Sequence, residues 1–262
     1  PDSTSDTVGM YNPFDGSYMG DLISGFDQFS TPINAVLGPD GLIYVSDQVA
    51  DSVFRFNLDG SFVDVFADDM DGLNNIRGID FRGDELFVTS GDDYVARFAA
   101  DGTRLTDFIN DGSDPFDIFF LDDGRALLSD IQGTTDNVRL YNSDGSLSGE
   151  LFSIDFPEQI NDLSNGNYVN ASFSGDQITE FDLDGNVINT WVFDGGRGVH
   201  ELGNGNLLVT SGAGVFSLDR TTGELTTIRE GVSARFIEFV IPSPGALALL
   251  GLAGFATRRR RR

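Results

Sequence analysis

One stretch of sequence decides the fold: Val53-Phe54-Arg55-Phe56-Asn57-Leu58-Asp59-Gly60-Ser61-Phe62-Val63-Asp64-Val65-Phe66. Two runs in which apolar and polar residues alternate flank an Asp-Gly pair, and such alternation is typical of half-buried β-strands. Asp-Gly supplies the positive φ angles that a tight two-residue turn between antiparallel strands requires. The stretch therefore predicts a β-hairpin.

The same hairpin recurs along the chain. Its turn glycines stand at positions 16, 60, 102, 145, 185 and 223, in steps of 44, 42, 43, 40 and 38 residues. A second turn of this kind, such as Pro39-Asp40-Gly41, comes earlier in each unit, so that a unit holds four short strands. Units of about 40 residues with this content are typical of β-propeller blades, whereas helical repeats would show a 3.6-residue pattern.

Counting the units predicts an all-β protein, a six-bladed β-propeller of four-stranded blades. Five units are complete, at about 33–67, 76–110, 116–153, 159–194 and 198–230. The sixth is split, because residues 2–24 match the later strands of a blade and residues 234–240 match a first strand. A blade shared by the N- and C-terminal strands would close the ring and leave no open sheet edge. We expect part of its second strand upstream of Pro1, and we assign residues 1–240 to one propeller domain.

The blade sequence Pro39-Asp40-Gly41-Leu42-Ile43-Tyr44-Val45-Ser46-Asp47 resembles the NHL-type repeat. Looser versions of it extend over residues 33–230. The resemblance implies an NHL-like propeller. It implies no single activity, because propellers serve as binding proteins, lactonases, lyases and sulfotransferases alike.

The last 22 residues have a different composition. Pro242-Ser243-Pro244 precedes an uncharged apolar run at residues 246–256, for which we predict a short helix. Five arginines end the chain: Arg258, Arg259, Arg260, Arg261 and Arg262. The apolar run is shorter than the roughly 17–25 residues of an unassisted membrane span, and terminal arginines favour the cytoplasmic side. This short segment is therefore interpreted as a sorting signal, and a plain C-terminal membrane anchor is the alternative.

This order of motif, apolar helix and arginines resembles the PEP-CTERM tail of Gram-negative bacterial proteins, with Ser243 in place of the usual glutamate. The resemblance implies an exosortase-type processing enzyme, transient attachment of residues 241–262 to the inner membrane, and release to the cell envelope or extracellular matrix. It also implies a secretory signal peptide, which we expect upstream of Pro1. Matrix polysaccharide and surface proteins are the partners that this location suggests.

The composition agrees with an exported β protein. There are no cysteines, and the 16 basic residues include no lysine. The formal net charge of −26 disfavours binding to nucleic acid and to anionic membrane surfaces. We predict no cofactor from the residues, although Ca²⁺ held by surface aspartates stays open on charge alone.

The residue inventory offers little for catalysis. His200 is the only histidine, which excludes multi-histidine zinc sites. Its surroundings are loosely similar to a sequence in six-bladed arylsulfotransferases, but a half-buried strand histidine is the simpler interpretation. A lactonase-type site would need a divalent ion at the channel mouth, and the candidate donors near the starts of first strands are Asn34, Asp117, Glu158, Asn161 and Glu201. We predict no catalytic residue and no metal ligand.

Arg77, Arg197 and Arg235 stand at the starts of first strands in three different units. Those positions approach one rim of a propeller's channel, so the three side chains could converge on an anion or an acidic sugar. The alternative is that each pairs with one of the many aspartates. The candidate channel-mouth residues are Asn34, Arg77, Asp117, Asn161, Arg197, His200 and Arg235.

These observations favour a non-catalytic role, as a binding or structural module at the cell surface or in exopolysaccharide. The alternative is an extracellular lactonase-like or lyase-type propeller enzyme with a divalent metal at the channel mouth. The two differ in what the channel holds, since an enzyme should cluster Asn, Asp and Glu there beneath a pocket.

Overall fold

Each Asp-Gly turn of the sequence joins two antiparallel strands of an all-β propeller. The computed structural model describes residues 1–132 and 136–240. Within them lie five blades whose strands follow one another in sequence order, from the inside of the ring outward. The first blade consists of β3 (Pro32–Leu37), β4 (Ile43–Asp47), β5 (Ser52–Phe56) and β6 (Phe62–Ala67), and the second of β7 (Ile76–Arg82), β8 (Glu85–Ser90) and β9 (Tyr94–Phe98).

The remaining blades have four strands each. The third has β10 (Pro115–Phe120), β11 (Ala126–Asp130), β12 (Asn137–Tyr141) and β13 (Leu147–Ser153), and the fourth has β14 (Pro157–Asp162), β15 (Tyr168–Ser172), β16 (Gln177–Phe181) and β17 (Val187–Val192). The fifth has β18 (Gly198–Glu201), β19 (Leu207–Ser211), β20 (Gly214–Leu218) and β21 (Leu225–Glu230). A short 3-10 helix, Asp69–Asp71, leads into the second blade.

The prediction of a sixth four-stranded blade, split between the two termini, is wrong. Residues expected to form the later strands of the sixth blade form only a two-stranded sheet, β1 (Val8–Tyr11) with β2 (Tyr18–Ile23). Residues 234–240 form no continuous ladder with it, and Asp2 and Ala234 meet in an isolated antiparallel bridge. The amides of residues 234–236 donate to three different segments, at Ser211, Pro1 and Ile33, so they do not form the ladder with one neighbouring strand that a blade needs.

The second blade also departs from the prediction, because its fourth strand is not continuous. Residues 104–109 run beside β9 but bond to it only through isolated bridges, Val95 with Ile109 and Phe98 with Arg104. An ion pair between Arg104 and Asp107, three residues apart, accompanies this irregular course. The blade is therefore three-stranded.

The core consists of apolar layers between neighbouring sheets. β4, β11 and β19 are buried along their whole length, whereas the outermost strand β17 is exposed at nearly every residue. Apolar faces of successive blades contact each other in separate clusters, such as Val36, Ile79 and Phe98 between the first and second blades. Burial between sheets is the main favourable term in such an architecture.

The repeated turn glycines also join the blades. A Cβ atom on Gly60 would lie 1.9 Å from the carbonyl oxygen of Leu22, and one on Gly145 would lie 1.9 Å from that of Phe108. Both glycines have positive φ, so the position excludes a side chain by conformation and by space. The hairpin between third and fourth strands therefore rests on the outer part of the preceding unit. Through Gly60, the first blade contacts the two-stranded sheet.

The two faces of the ring carry different connections. Hairpins between first and second strands, and between third and fourth strands, lie on one face. The starts of the first strands lie on the other face, together with the loops that follow second strands and those that link one blade to the next. This linker face is where the ring positions described below are found.

The predicted sorting segment, residues 241–262, lies outside the described residues. Within residues 1–132 and 136–240, no helix has the length and apolar character needed to cross a membrane.

Candidate functional site at the channel mouth

One position near the start of every first strand faces the same rim of the channel. At four of the six equivalent positions, the backbone carbonyl accepts a hydrogen bond from a hydroxyl on the second strand of the preceding blade: Ser46 Oγ donates to Arg77, and Thr210 Oγ1 donates to Arg235, both at 2.6 Å. This bond fixes the register between neighbouring units. The ring position is occupied by Ile33, Arg77, Phe116, Glu158, Arg197 and Arg235.

A cavity of about 190 Å³ opens at this rim. Its lining consists of Gln48, Phe116, Phe156, Glu158, Phe173, Arg197 and Arg235. A larger cavity, of about 240 Å³, lies on the hairpin face between the third and fourth blades, beside Asp122, Asp123 and Arg125. We regard the smaller cavity as the candidate site because it contains buried charged groups without charged partners.

Arg197 and Arg235 are the unusual residues of this cavity. Arg197 Nη1 donates to Ser233 Oγ at 3.0 Å, and Arg235 Nε donates to Ser3 Oγ at 3.1 Å, so both of these partners are neutral hydroxyls. Eight of the eleven arginines in the described part of the chain form ion pairs: Arg55, Arg77, Arg97, Arg104, Arg125, Arg139, Arg220 and Arg229. In a chain of net charge −26, a half-buried guanidinium group without an ion pair is an exception, and the third one, Arg82, donates to the carbonyl oxygens of Gly124 and Ser143.

Arg77 reaches the same ring but is neutralised there. Its Nη1 lies 2.6 Å from Asp114 Oδ1, and its guanidinium lies over the Phe116 ring at 5.0 Å from the centroid. Arg77, Arg197 and Arg235 thus share the ring position, but only Arg197 and Arg235 line the cavity. For Arg77 the alternative, pairing with a neighbouring aspartate, applies as well.

Glu158 is the carboxyl group among these arginines. Its side chain is 2 % exposed, and its Oε2 has no hydrogen-bond partner among the described residues. Burial raises the pKa of Glu158 to about 7, against the opposing attraction of Arg235, Arg197 and Arg77. Burial and the like charge of Arg197 lower the pKa of Arg235 to about 10. A carboxyl group of this kind exchanges its proton near neutral pH.

Asn34 and Asp117 do not join the cavity. Each stands one residue after the ring position, and each bonds to the first strand of the next blade: Asn34 Nδ2 donates to Ile79 O at 3.0 Å, and Asp117 Oδ2 accepts from Ile160 N at 2.8 Å. These bonds hold neighbouring first strands together. The structure therefore gives both residues a part in the architecture.

Asn161 and His200 stand three residues after the ring position and also lie apart from the arginines. Asn161 Nδ2 donates to Val199 O at 3.3 Å and lies 3.3 Å from His200 Nδ1. The His200 ring stacks on Phe239, with centroids 5.9 Å apart and planes 6° apart, and burial lowers its pKa. This environment corresponds to the half-buried strand histidine that we expected.

Three further carboxyl groups lie in the channel beyond the ring. Burial raises the pKa of Asp80 to about 7, and it raises those of Asp117 and Glu238 well above the usual range, with mutual repulsion adding to the effect on the last two. Asp80 accepts from Phe120 N at 2.8 Å, and Glu238 accepts from Gln159 Nε2 at 2.9 Å. These groups are bonded within the framework.

The donor set at the channel mouth does not fit a divalent metal. Glu158 is the one carboxyl group in the cavity lining, and two guanidinium groups beside it would repel a cation. Over residues 1–132 and 136–240, no three His, Cys, Asp or Glu side chains come together as metal ligands. We derive no step of chemistry through a metal at this site.

Sequence reasoning missed the aromatic wall. Phe116, Phe156 and Phe173 line the cavity, and none was a candidate. Glu158 was considered only as a donor to a metal. Alignment of the first strands would have placed Glu158 and Phe116 in register with the arginines, but Phe156 and Phe173 lie outside the strands, where the alternating pattern gives no signal.

Comparison with known proteins supports the fold alone. No family model matches the chain, and no curated protein matches its sequence. Among solved structures, it is similar to a gluconolactonase from Xanthomonas campestris, with 19% identity, a TM-score of 0.67, and coverage of 89% of this chain and 90% of the other. It is also similar to virginiamycin B lyase from Staphylococcus aureus (16% identity, TM-score 0.55, 82% and 71% covered) and to the WD40 propeller domain of Doa1 (13%, 0.64, 90% and 80%).

Proposed function

We propose that the protein binds a small organic anion at the channel mouth. The observation that carries the proposal is the pair Arg197 and Arg235, both lining one cavity and neither in an ion pair among the described residues. Both guanidinium groups are half-buried and have lost part of their hydration, and an anion in the cavity would accept charge-assisted hydrogen bonds from both. Phosphate is a weaker candidate than carboxylate because a second negative charge would lie beside Glu158.

A second candidate function is hydrolysis of a lactone, without a metal. Glu158 favours it, because a carboxyl group with a pKa of about 7 can accept and return a proton near neutral pH. Glu158 would take a proton from water, the resulting oxygen would attack the ester carbonyl, and an arginine would stabilise the oxyanion. When the ring C–O bond breaks, the proton on Glu158 passes to the leaving oxygen. Similarity to gluconolactonases makes a sugar lactone the first ester to assay.

Export and sorting remain part of the proposal. They rest on Pro242, Ser243, Pro244 and the terminal arginines, which lie outside the described residues. On this view an exosortase-type enzyme processes the tail, and the propeller acts at the envelope or in the matrix. A matrix polysaccharide with acidic sugars would present carboxylate groups to the channel mouth, and a surface protein is the other partner considered.

Calorimetric titration with acetate and benzoate tests the binding proposal. Wild type should bind at least one of them, and Arg197→Met and Arg235→Met should each weaken that binding by at least about tenfold, the loss of a charged hydrogen bond. Arg125→Met is the matched control, because it removes a positive charge from the other face, where Arg125 pairs with Asp123. Equal binding by all four proteins would refute the proposal.

A lactonase assay separates the second candidate from the first. Release of acid from glucono-δ-lactone is followed with a pH indicator, with a chelator present, for wild type and Glu158→Gln. Turnover that Glu158→Gln abolishes would support the enzyme, since amide and carboxylic acid are similar in size but only the acid exchanges a proton. Anion binding without turnover of lactones leaves a binding protein.

A further inference from the structure

Three phenylalanine side chains form part of the cavity wall. Phe116, Phe156 and Phe173 form a continuous series, with centroid distances of 5.5 Å and 5.6 Å and ring planes inclined by 63° and 60°. The guanidinium of Arg197 lies over the Phe173 ring, 5.2 Å from its centroid. The cavity thus offers charge and hydrogen bonds next to ring faces and edges.

The backbone at Phe156 is held in an unfavourable conformation. Its φ angle is 48°, in the left-handed region, and the other non-glycine residues with positive φ in the described part of the chain are all Asp or Asn. Phe156 also precedes Pro157, and a following proline further disfavours helical angles of either hand. Such a conformation costs about 1–2 kcal/mol for a residue with a Cβ atom.

The repeat shows that phenylalanine is not required there by the fold. Phe156 lies two residues before the ring residue Glu158. Asn75 and Gly195 hold the same place before Arg77 and Arg197, with φ angles of 50° and 60°. Glycine and asparagine adopt this conformation at less cost than phenylalanine. The position that borders the cavity is therefore the one that carries a large ring despite the strain.

Cavity size and polarity limit the ligand further. A volume of about 190 Å³ is below the roughly 300–1,000 Å³ of pockets for drug-sized molecules, so one ring with one anionic group fills it. A polyhydroxylated molecule would place several hydroxyl groups against phenylalanine, where they would lose their bonds to water. A flat apolar group would lose no hydrogen bonds to water there and would gain contacts with the phenylalanine rings.

We propose that the preferred ligand is a monocyclic aromatic carboxylate, with its carboxylate group on Arg197 and Arg235 and its ring against Phe156 and Phe173. This inference rests on the proposed function and specifies the ligand of the same site. Protonated Glu158 donates a hydrogen bond to the ligand carboxylate, since Glu158 Oε2 has no other partner among the described residues. The ring replaces water on the Phe156 and Phe173 faces.

The test is a calorimetric comparison of four probes at pH 6: benzoate, acetate, gluconate and benzyl alcohol. Benzoate should bind at least about tenfold more tightly than acetate or gluconate, because burial of a ring is added to the same charge. Benzyl alcohol, which has the ring without the charge, should bind too weakly to measure. The ratio of benzoate to acetate affinity is the readout.

Variants of the wall connect the preference to the structure. Phe173→Ala and Phe156→Gly should each lower the ratio of benzoate to acetate affinity by about tenfold. Phe173 is 37% exposed, so Phe173→Ala retains the fold and carries the test even where Phe156→Gly does not. Asp93→Gly is the control, because it relieves a positive φ of 69° at an exposed loop outside the cavity.

The outcomes distinguish this inference from the proposed function. If acetate and gluconate bind as tightly as benzoate, or if both wall variants keep the benzoate preference, the aromatic assignment is overturned while the anion site stands. If wild type binds none of the three anions, the proposed function itself is overturned. Tight binding of benzyl alcohol would also refute the inference, since it would remove the need for the arginines.

Discussion

Replacing Glu158 by glutamine should make the protein more stable above neutral pH. The Glu158 side chain is 2 % exposed, and burial raises its pKa from 4.5 to about 7. The folded state therefore retains a proton that the unfolded chain releases from about pH 4.5 upward. The stabilisation is complete below pH 4.5 and is lost as the pH rises through 7, which amounts to about 3 kcal/mol in total.

Urea unfolding of wild type and Glu158→Gln at pH 5, 6, 7 and 8 measures this loss. Between pH 5 and 8, the free energy of unfolding of wild type should fall by about 2 to 3 kcal/mol more than that of the variant. The other buried carboxyl groups of the channel remain in both proteins, so the difference isolates Glu158. Glu224→Gln removes a charge from an exposed hairpin and is the matched control.

Parallel pH profiles for wild type and Glu158→Gln would refute the reasoning. They would mean that the attraction of Arg197 and Arg235 offsets the burial of Glu158, and that Glu158 is charged throughout the neutral range. In that case the cavity would hold compensating charges, and its preference for an anion would lose its basis.

Three further predictions concern the site, the architecture and the tail. The affinity for acetate should fall as the pH rises through about 7 in wild type and stay level in Glu158→Gln, as measured by calorimetry at pH 5.5 to 8, because the ionised Glu158 repels the ligand. Gly60→Ala should lower the free energy of unfolding by at least about 2 kcal/mol more than Gly41→Ala does. Both glycines have a φ of 81°, but only Gly60 lies against a carbonyl oxygen. Equal losses of unfolding free energy for the two variants, measured by urea unfolding, would contradict this. In an exosortase-bearing host, wild type should be shortened and released, whereas the Pro242→Ala/Pro244→Ala protein should keep its tail and stay in the membrane fraction. Intact mass and fractionation measure the two effects. An uncut wild type would indicate a plain anchor.

The blades could be predicted from the sequence because the information that specifies them is local. An Asp-Gly pair between two alternating runs fixes a hairpin within about a dozen residues, and its repetition fixes the architecture. The closure of the ring was less predictable. Whether residues 2–24 and 234–240 make one sheet depends on pairing between chain ends, and the structure gives a two-stranded sheet and the Asp2–Ala234 bridge in place of a blade.

The site was predictable in position and not in charge state. The repeat places Arg77, Arg197 and Arg235 at equivalent positions, and of these Arg197 and Arg235 line the cavity. Which arginine is neutralised depends on loops from other blades: Asp114 reaches Arg77, whereas Arg197 and Arg235 meet the hydroxyls of Ser233 and Ser3. No period in the sequence contains that information.

The same limit applies to the polar residues of the first strands. Asn34, Asp117 and Asn161 have the composition of a metal site, and the sequence does not reveal that their side chains bond to neighbouring first strands. A propeller leaves the inner edge of each sheet without a fifth strand, so its polar backbone groups need partners. Short polar side chains on the first strands provide some of these hydrogen-bond partners.

The acidity of the chain strengthens the case for a receptor at the channel mouth. An excess of aspartate makes a carboxylate partner easy to provide, as Asp114 does for Arg77 and as acidic residues do for seven other arginines. Two arginines that lack such a partner, in the same cavity, are half-buried, so part of their lost hydration is a cost that the folded protein alone does not recover. A bound anion would recover it, and Glu158, which is neutral below pH 7, would not oppose that anion. The surrounding negative field repels anions at long range but is screened within about 8 Å at physiological ionic strength, so selection for the ligand falls to the short-range contacts of Arg197, Arg235 and the phenylalanine wall.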